Sequence, residues 1–193
     1  MKKILLLLTL LIGAALSTYA QNDDPAVKLG VGFSVGAAVG SNSGAYPSAG
    51  GVHFKVEYPV SDNGVSLLFS AGYTFYVSAN GYTYNTDTFG DRYSEGSLLS
   101  FIPLQVGVKY YAANRLFLSG EAGGLFNLNA SSVDENGKAI TKASLLVTPS
   151  VGYTIPFGST RGSLDLSVGY DANLQTGGGY NQVFLKATFN FGM

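Results

Sequence analysis

From about residue 27 onward, apolar and polar residues alternate with a period of two, the pattern of strands with one oily face and one wet face. It is plainest in the final stretch, NQVFLKATFNFGM. There Val183, Leu185, Ala187, Phe189, Phe191 and Met193 share one parity, and Gln182, Lys186, Thr188 and Asn190 share the other. Phe184 is the one large apolar side chain on the polar parity. Seven further segments read the same way: residues 27–39, 52–60, 65–77, about 100–110, 116–128, 145–157 and 164–174. No helical period competes with them after Ala20. A chain ending on such a strand leaves an edge to pair, and the economical partner is its own first strand, which closes a barrel and abolishes both edges. The pattern therefore predicts an all-β fold, an eight-stranded antiparallel up-and-down β-barrel.

The connections alternate in length. Residues 41–51, 78–99, 130–144 and 175–180 are long or moderately long, whereas SDNG (61–64), AANR (112–115) and GSTRG (158–162) are tight. Outer-membrane barrels have short periplasmic turns and longer outside loops, so both termini are expected on the periplasmic side. Asn63-Gly64 and Asn136-Gly137 supply the positive-φ residues that hairpin tips favour.

Charge sharpens the picture. Lys28, Lys55, Glu57, Lys109, Glu121, Asp165, Asp171 and Lys186 fall on the strands, and all eight take the polar parity. A basic residue on the lipid face near the midplane costs roughly 2–4 kcal/mol, whereas a soluble barrel would carry its charges outside. The phase thus predicts a transmembrane barrel with its ionised groups inside. Four basic residues balance four acidic ones, which suggests a lumen filled by an ion-pair network rather than an open one-sign pore. Eight strands enclose a space that side chains can fill. Inward glycines (Gly30, Gly32, Gly36, Gly72, Gly107, Gly123, Gly152 and Gly169) would make room for the long charged side chains.

Aromatic residues gather toward strand ends (Tyr58, Tyr73, Phe75, Tyr110, Tyr111, Phe126, Tyr153, Phe157, Tyr170 and Phe191), as girdles at the two interfaces would, although strands favour aromatics in any case. Pro103 and Pro149 fall inside strands, where a closed barrel has no edge to absorb a missing N–H. They are expected at bulges or at the outer rim.

Composition agrees. Only 12% of the 193 residues are charged and 26 are glycine, against roughly 25% charged in ordinary domains. A formal net charge of −1 gives no electrostatic case for nucleic acid. Without cysteine there is neither a disulfide framework nor thiolate chemistry. Residues 1–20 read as a signal peptide: Lys2 and Lys3, an apolar run from Ile4 to Leu16, then Thr18-Tyr19-Ala20. Cleavage before Gln21 would remove two lysines, leaving 9 basic against 12 acidic residues and a charge of −3. The barrel domain is then 21–193, exported to the outer membrane of a Gram-negative bacterium.

The segment FIPLQVGVKYY (101–111) resembles the proline-led strand of small outer-membrane barrels of the Bacteroidetes, the PorT-like or OmpX-like barrel domains; GEAGGLF and PSVGYTIPF are similar in character. The resemblance implies an eight-stranded barrel inserted by the barrel-assembly machinery. Such proteins usually end in an aromatic residue, and here Met193 follows Phe189 and Phe191. The resemblance supplies a location rather than a reaction.

Candidate chemistry is sparse. His53, the single histidine, cannot build a multi-histidine metal site. A Ser-His-Asp arrangement remains open, since partners need not be adjacent in sequence. Glu57 and Glu121 are a carboxylate pair if close, or ion-pair partners of Lys55 and Lys109. The glycine-rich stretches GVGFSVGAAVG and TGGGY lack the following Lys-Ser/Thr and helix of a phosphate loop. No catalytic, cofactor-binding or metal residue is assigned. In the second long loop, Tyr82, Tyr84, Phe89 and Tyr93 stand beside Asp87, Asp91, Arg92 and Glu95. They read either as a recognition surface for an extracellular protein or glycan, or as a hairpin continuing the strands past the membrane.

The function expected is structural or interaction-based (envelope integrity or attachment), by a monomer surrounded by outer-membrane lipid. The alternatives are a lipid-modifying enzyme using His53 and a small pore or transporter.

Overall fold

The computed structural model describes residues 27–40, 43–61, 64–79, 83–86, 92–95, 98–113, 115–128, 142–157, 162–175 and 179–192. Eight strands form a closed barrel: β1 (Lys28–Val39), β2 (Ser48–Ser61), β3 (Val65–Val77), β6 (Leu98–Tyr111), β7 (Leu116–Asn127), β8 (Ala143–Pro156), β9 (Gly162–Leu174) and β10 (Asn181–Gly192). Each pairs antiparallel with its neighbours in chain order, and β10 closes on β1 from Lys28↔Gly192 to Val39↔Asn181. The remaining two, β4 (Thr83–Thr86) and β5 (Arg92–Glu95), form a separate two-stranded hairpin in the second long connection. No helix occurs among the described residues. The candidate leader, residues 1–20, lies outside them.

β2 begins four residues earlier than the alternation predicts. Ala49, Gly50 and Gly51 carry no hydrophobic signal, yet they pair with both β1 and β3. The Phe75 ring lies where a Cβ on Gly50 would be, 2.8 Å from its nearest carbon, and covers the bare backbone.

The prolines behave differently from expectation. The β3–β6 register is the same on both sides of Pro103 (Ala71↔Leu104, Thr74↔Phe101), but the pairs between them are lost. The β8–β9 ladder is likewise interrupted at Pro149 between Val147↔Ala172 and Ser150↔Gly169. Neither proline makes a bulge, and Pro149 sits in the middle of its strand rather than at a rim. Each removes one N–H from one ladder while the other side of its strand stays paired, Pro103↔Leu125 and Pro149↔Gly120. Two continuous flanking stretches hold the register across each gap.

The polarity of the wall is inverted relative to a water-soluble protein. Phe54 and Leu185 are each 62% exposed on the exterior, whereas Lys109 is 0% exposed inside. No charged residue of the barrel strands, among those described, is exposed. Apolar side chains from every barrel strand form the outer surface, which matches hydrocarbon and not water. The fold is a transmembrane β-barrel of the outer-membrane type.

Candidate functional site in the barrel lumen

The inward parity of the strands stacks side chains in three storeys. At the tight-turn end is an ion-paired layer. Cross-strand register sets Lys28 opposite Glu57, Ser66 opposite Lys109 and Thr154 opposite Asp165. The Lys109 ammonium donates to Glu57 Oε2 at 2.9 Å and to Asp165 Oδ2 at 2.7 Å. Lys55 donates to the same Asp165 oxygen at 3.0 Å, and Thr154 donates to the other at 2.7 Å. Glu57 Oε1 accepts from Ser66 and Tyr111, each at 3.3 Å, and from Lys28 at 3.5 Å. The Lys109 ammonium also lies 4.5 Å from the Tyr111 ring centre and 4.2 Å from that of Phe117. Charges this deeply buried are tolerable only when each finds partners, and here both carboxylates are held by several donors.

Tyr111 therefore does not belong to an interface girdle, as its place at a strand end suggested. It turns inward as part of this layer, while its neighbour Tyr110 faces outward, 47% exposed.

The middle storey is built from small hydroxyl side chains: Ser34, Ser70, Ser119, Ser150 and Ser167, with His53, Thr188, Glu121 and Lys186 among them. His53 Nε2 lies 2.8 Å from Thr188 Oγ1. Ser70 donates to Glu121 at 2.5 Å. Above them, Asp171 accepts from Thr148 and from Gln182, both at 2.6 Å. Of the eight strand charges, Lys28, Lys55, Glu57, Lys109 and Asp165 share one ion-paired network. Glu121, Asp171 and Lys186 face the lumen without an ion-pair partner among the described residues. Glu57 is held by Lys109, Lys28, Ser66 and Tyr111 and Glu121 by Ser70, with no hydrogen-bond partner in common among the described residues.

Two inward aromatics occupy the space left by glycines. Phe184, the apolar exception on the last strand, stands opposite Gly169, where an added Cβ would come within 2.5 Å of its ring. Phe117 is placed the same way against Gly152. The inward glycines thus accommodate rings as well as charged side chains.

The third storey, at the long-loop end, was not legible in the alternation. Ala49, Tyr76, Leu99, Phe101, Leu125 and Leu146 form a buried apolar cluster across the lumen, with Ala38, Tyr46 and Tyr180 packed on it. The Tyr180 ring centre is 5.5 Å from Phe101, 5.6 Å from Tyr76 and 5.8 Å from Tyr46. The Tyr76 hydroxyl donates to the Tyr180 carbonyl at 2.9 Å. The only hint in the chain is that strict alternation lapses near these strand ends, as in Phe75-Tyr76-Val77 and Leu145-Leu146-Val147.

Among the described residues no group of three or more His, Asp or Glu is placed to hold a metal ion. His53 faces the lumen, on the opposite side of the wall from any acyl chain. Of the loop aromatics, Tyr82 and Phe89 lie outside the described residues. Tyr84 and Tyr93 fall on β4 and β5, paired with Ser94 and Asn85, so the hairpin in this connection is present.

The chain matches no protein-family model and no curated protein. Among solved structures it is similar to the outer membrane protein Ail of Yersinia pestis, in a phospholipid bilayer nanodisc, at 15% identity and a TM-score of 0.43 over 84% of this chain and 99% of that one. It is similar also to Ail in complex with the heparin analogue sucrose octasulfate, at 13% identity and a TM-score of 0.42 over 86% and 97% of the two chains.

Proposed function

We propose that this chain, once its leader is removed, is a non-enzymatic barrel of a Gram-negative outer membrane with a closed lumen. Its role is structural or adhesive and is exercised through the segments beyond the long-loop end. The observation that carries this reading is the stacking of two different obstructions in one lumen. A buried ion-paired layer fills the tight-turn end and an aromatic cluster fills the long-loop end. A pore needs a continuous wet path, and neither layer supplies one.

The long connections favour the long-loop end as the outward one; lipid around the wall, a monomeric state and insertion by the barrel-assembly machinery belong to the proposal with it. The separate β4–β5 hairpin, in the second long connection, is the surface offered to an extracellular protein or glycan. Placement among the PorT-like barrels of the Bacteroidetes rests on the 101–111 segment and on the stretches of similar character at 120–126 and 149–157. Against an enzyme stands the position of His53, enclosed in the lumen and bonded to a threonine rather than to a carboxylate.

Planar-bilayer recording tests the reading, together with gel mobility with and without boiling. The expected outcome is a heat-modifiable, membrane-fractionated protein with no stable conductance steps. Stable steps, or recovery in the soluble wash, would overturn it. A lipid A profile altered by His53→Ala would revive the enzyme.

A further inference from the structure

Between the two obstructions the lumen is not solid. One internal cavity of about 40 Å³ is bounded by Ser34, His53, Tyr76, Asp171 and Lys186, among others. A second, of about 20 Å³, is bounded by Lys109, Phe117, Glu121 and Ser150. His53, Ser70 and Lys186 line both cavities, so the two are neighbours separated only by side chains.

The groups on these walls are short of partners. Lys186 has no carboxylate within ion-pair distance among the described residues; its ammonium stands 4.6 Å from the centre of the Phe184 ring. Glu121 is buried and is held by the Ser70 hydroxyl. His53 Nδ1 is buried without a hydrogen-bond partner. A buried charge lacking its counterpart is heavily penalised unless water supplies the missing bonds. The cavities have room for roughly three water molecules and about one, respectively, and a polar lining of the kind that keeps buried water in place.

We propose that the middle of the lumen is a hydrated chamber, in which water bridges Lys186 to Glu121 and Asp171 and satisfies His53, and that the Tyr180 ring is its outward seal. Tyr76 is both a wall of the larger cavity and the donor that fixes Tyr180 in place. Lys109 and Phe117 close the other side. The chamber rests on the closed-lumen reading and deepens it: the obstruction is two thin layers with water between them.

The chain has no cysteine, so a single introduced thiol reports on one place. Ser34→Cys puts it on the wall of the larger cavity. The mature chain is folded into lipid vesicles and exposed to a small water-soluble methanethiosulfonate carrying an ammonium group. With Tyr180 present the thiol is expected to react about tenfold or more slowly than in the Ser34→Cys/Tyr180→Ala barrel, because thiolate chemistry needs both water and access. Both react fully once unfolded. Heat-modifiable mobility verifies that each variant is folded. Tyr76→Phe, which removes only the hydroxyl holding Tyr180, serves as the milder opening should Tyr180→Ala not fold.

A thiol that stays unreactive when the seal is opened refutes the hydrated chamber. One that reacts as fast behind an intact Tyr180 as in the unfolded chain refutes the seal. Conductance steps from the unsubstituted barrel would instead refute the closed-lumen reading, so the two failures are told apart.

Discussion

The ammonium of Lys109 lies 2.7 Å from Asp165 Oδ2, and both side chains are shut away from solvent. Lys109 also holds Glu57, so one cation joins the two carboxylates of the lower lumen. Removing it leaves Asp165 with Lys55 at 3.0 Å, but Glu57 with the longer 3.5 Å ion pair to Lys28 and the neutral hydroxyls of Ser66 and Tyr111. Lys109→Met is therefore expected to destabilise the barrel by about 3–5 kcal/mol, the range for stranding one side of a buried pair. Lys28→Met, at a site whose side chain is 30% exposed, should cost no more than about 1 kcal/mol. Denaturant unfolding followed by circular dichroism compares the two, since the chain has no tryptophan to report by fluorescence. Equal losses would mean that Lys109 does not organise the layer.

Phe184 and Gly169 present a second dependence, this time of shape. A Cβ at position 169 would lie 2.5 Å from the Phe184 ring and 2.7 Å from the Pro149 carbonyl oxygen. The ring can swing away, but the backbone oxygen has no such freedom. Gly169→Ala is expected to cost about 1–3 kcal/mol through overpacking. Pairing it with Phe184→Leu should recover part of that loss and leave the part owed to the carbonyl. Additive losses in the double variant would show that the ring and the glycine are not coupled.

What the alternation revealed, and what it could not, follows from how each feature is encoded. Period two reports which wall a residue faces, so the strands and the inward phase of Lys55, Glu57, Lys109, Glu121 and Asp165 could be read directly. Contacts across the lumen join residues far apart in sequence, such as Lys109 with Asp165 or Tyr76 with Tyr180, and no local pattern carries them. Which charges pair is therefore seen only in the structure, where ion pairs join Lys28, Lys55, Glu57, Lys109 and Asp165. The inward turn of Tyr111 is likewise hidden, because a strand-end aromatic has the same composition whichever way it points. For the prolines the sequence shows the missing N–H, which points to a bulge or the outer rim, but not whether the flanking ladders can hold register around it.

The inverted wall makes a prediction that depends on depth. Val106 is 57% exposed and stands within the barrel wall, opposite Phe69 and Ala122. Leu174 is equally exposed, at 58%, but ends β9 at the long-loop end. Val106→Arg should lose about 2–4 kcal/mol in lipid, and Leu174→Arg about 0–1 kcal/mol. The measurement is reversible unfolding from vesicles of each variant against the parent. A water-facing wall would not distinguish the two positions, and equal effects would remove the basis for placing it in hydrocarbon.

Pro103 offers the test of how the barrel tolerates a missing donor. Register places it opposite Gly72, in the gap between Ala71↔Leu104 and Thr74↔Phe101. In an antiparallel ladder the lost bond is the one an N–H at 103 would make to the carbonyl of residue 72. Pro103→Ala restores that donor without changing which wall the residue faces. The new amide is expected to exchange with solvent deuterium as slowly as the ladder-paired amides beside it on β6, measured in the same experiment. Stability should move by no more than about 1 kcal/mol, the net contribution of a single added hydrogen bond. The proline ring also lines the larger cavity, and a Cβ on Gly72 would lie 3.4 Å from its Cγ. The variant therefore enlarges that space slightly while closing the ladder, and the two effects oppose each other. A fast-exchanging amide at position 103 would show that the gap is held open by packing around Gly72 rather than by the absent N–H.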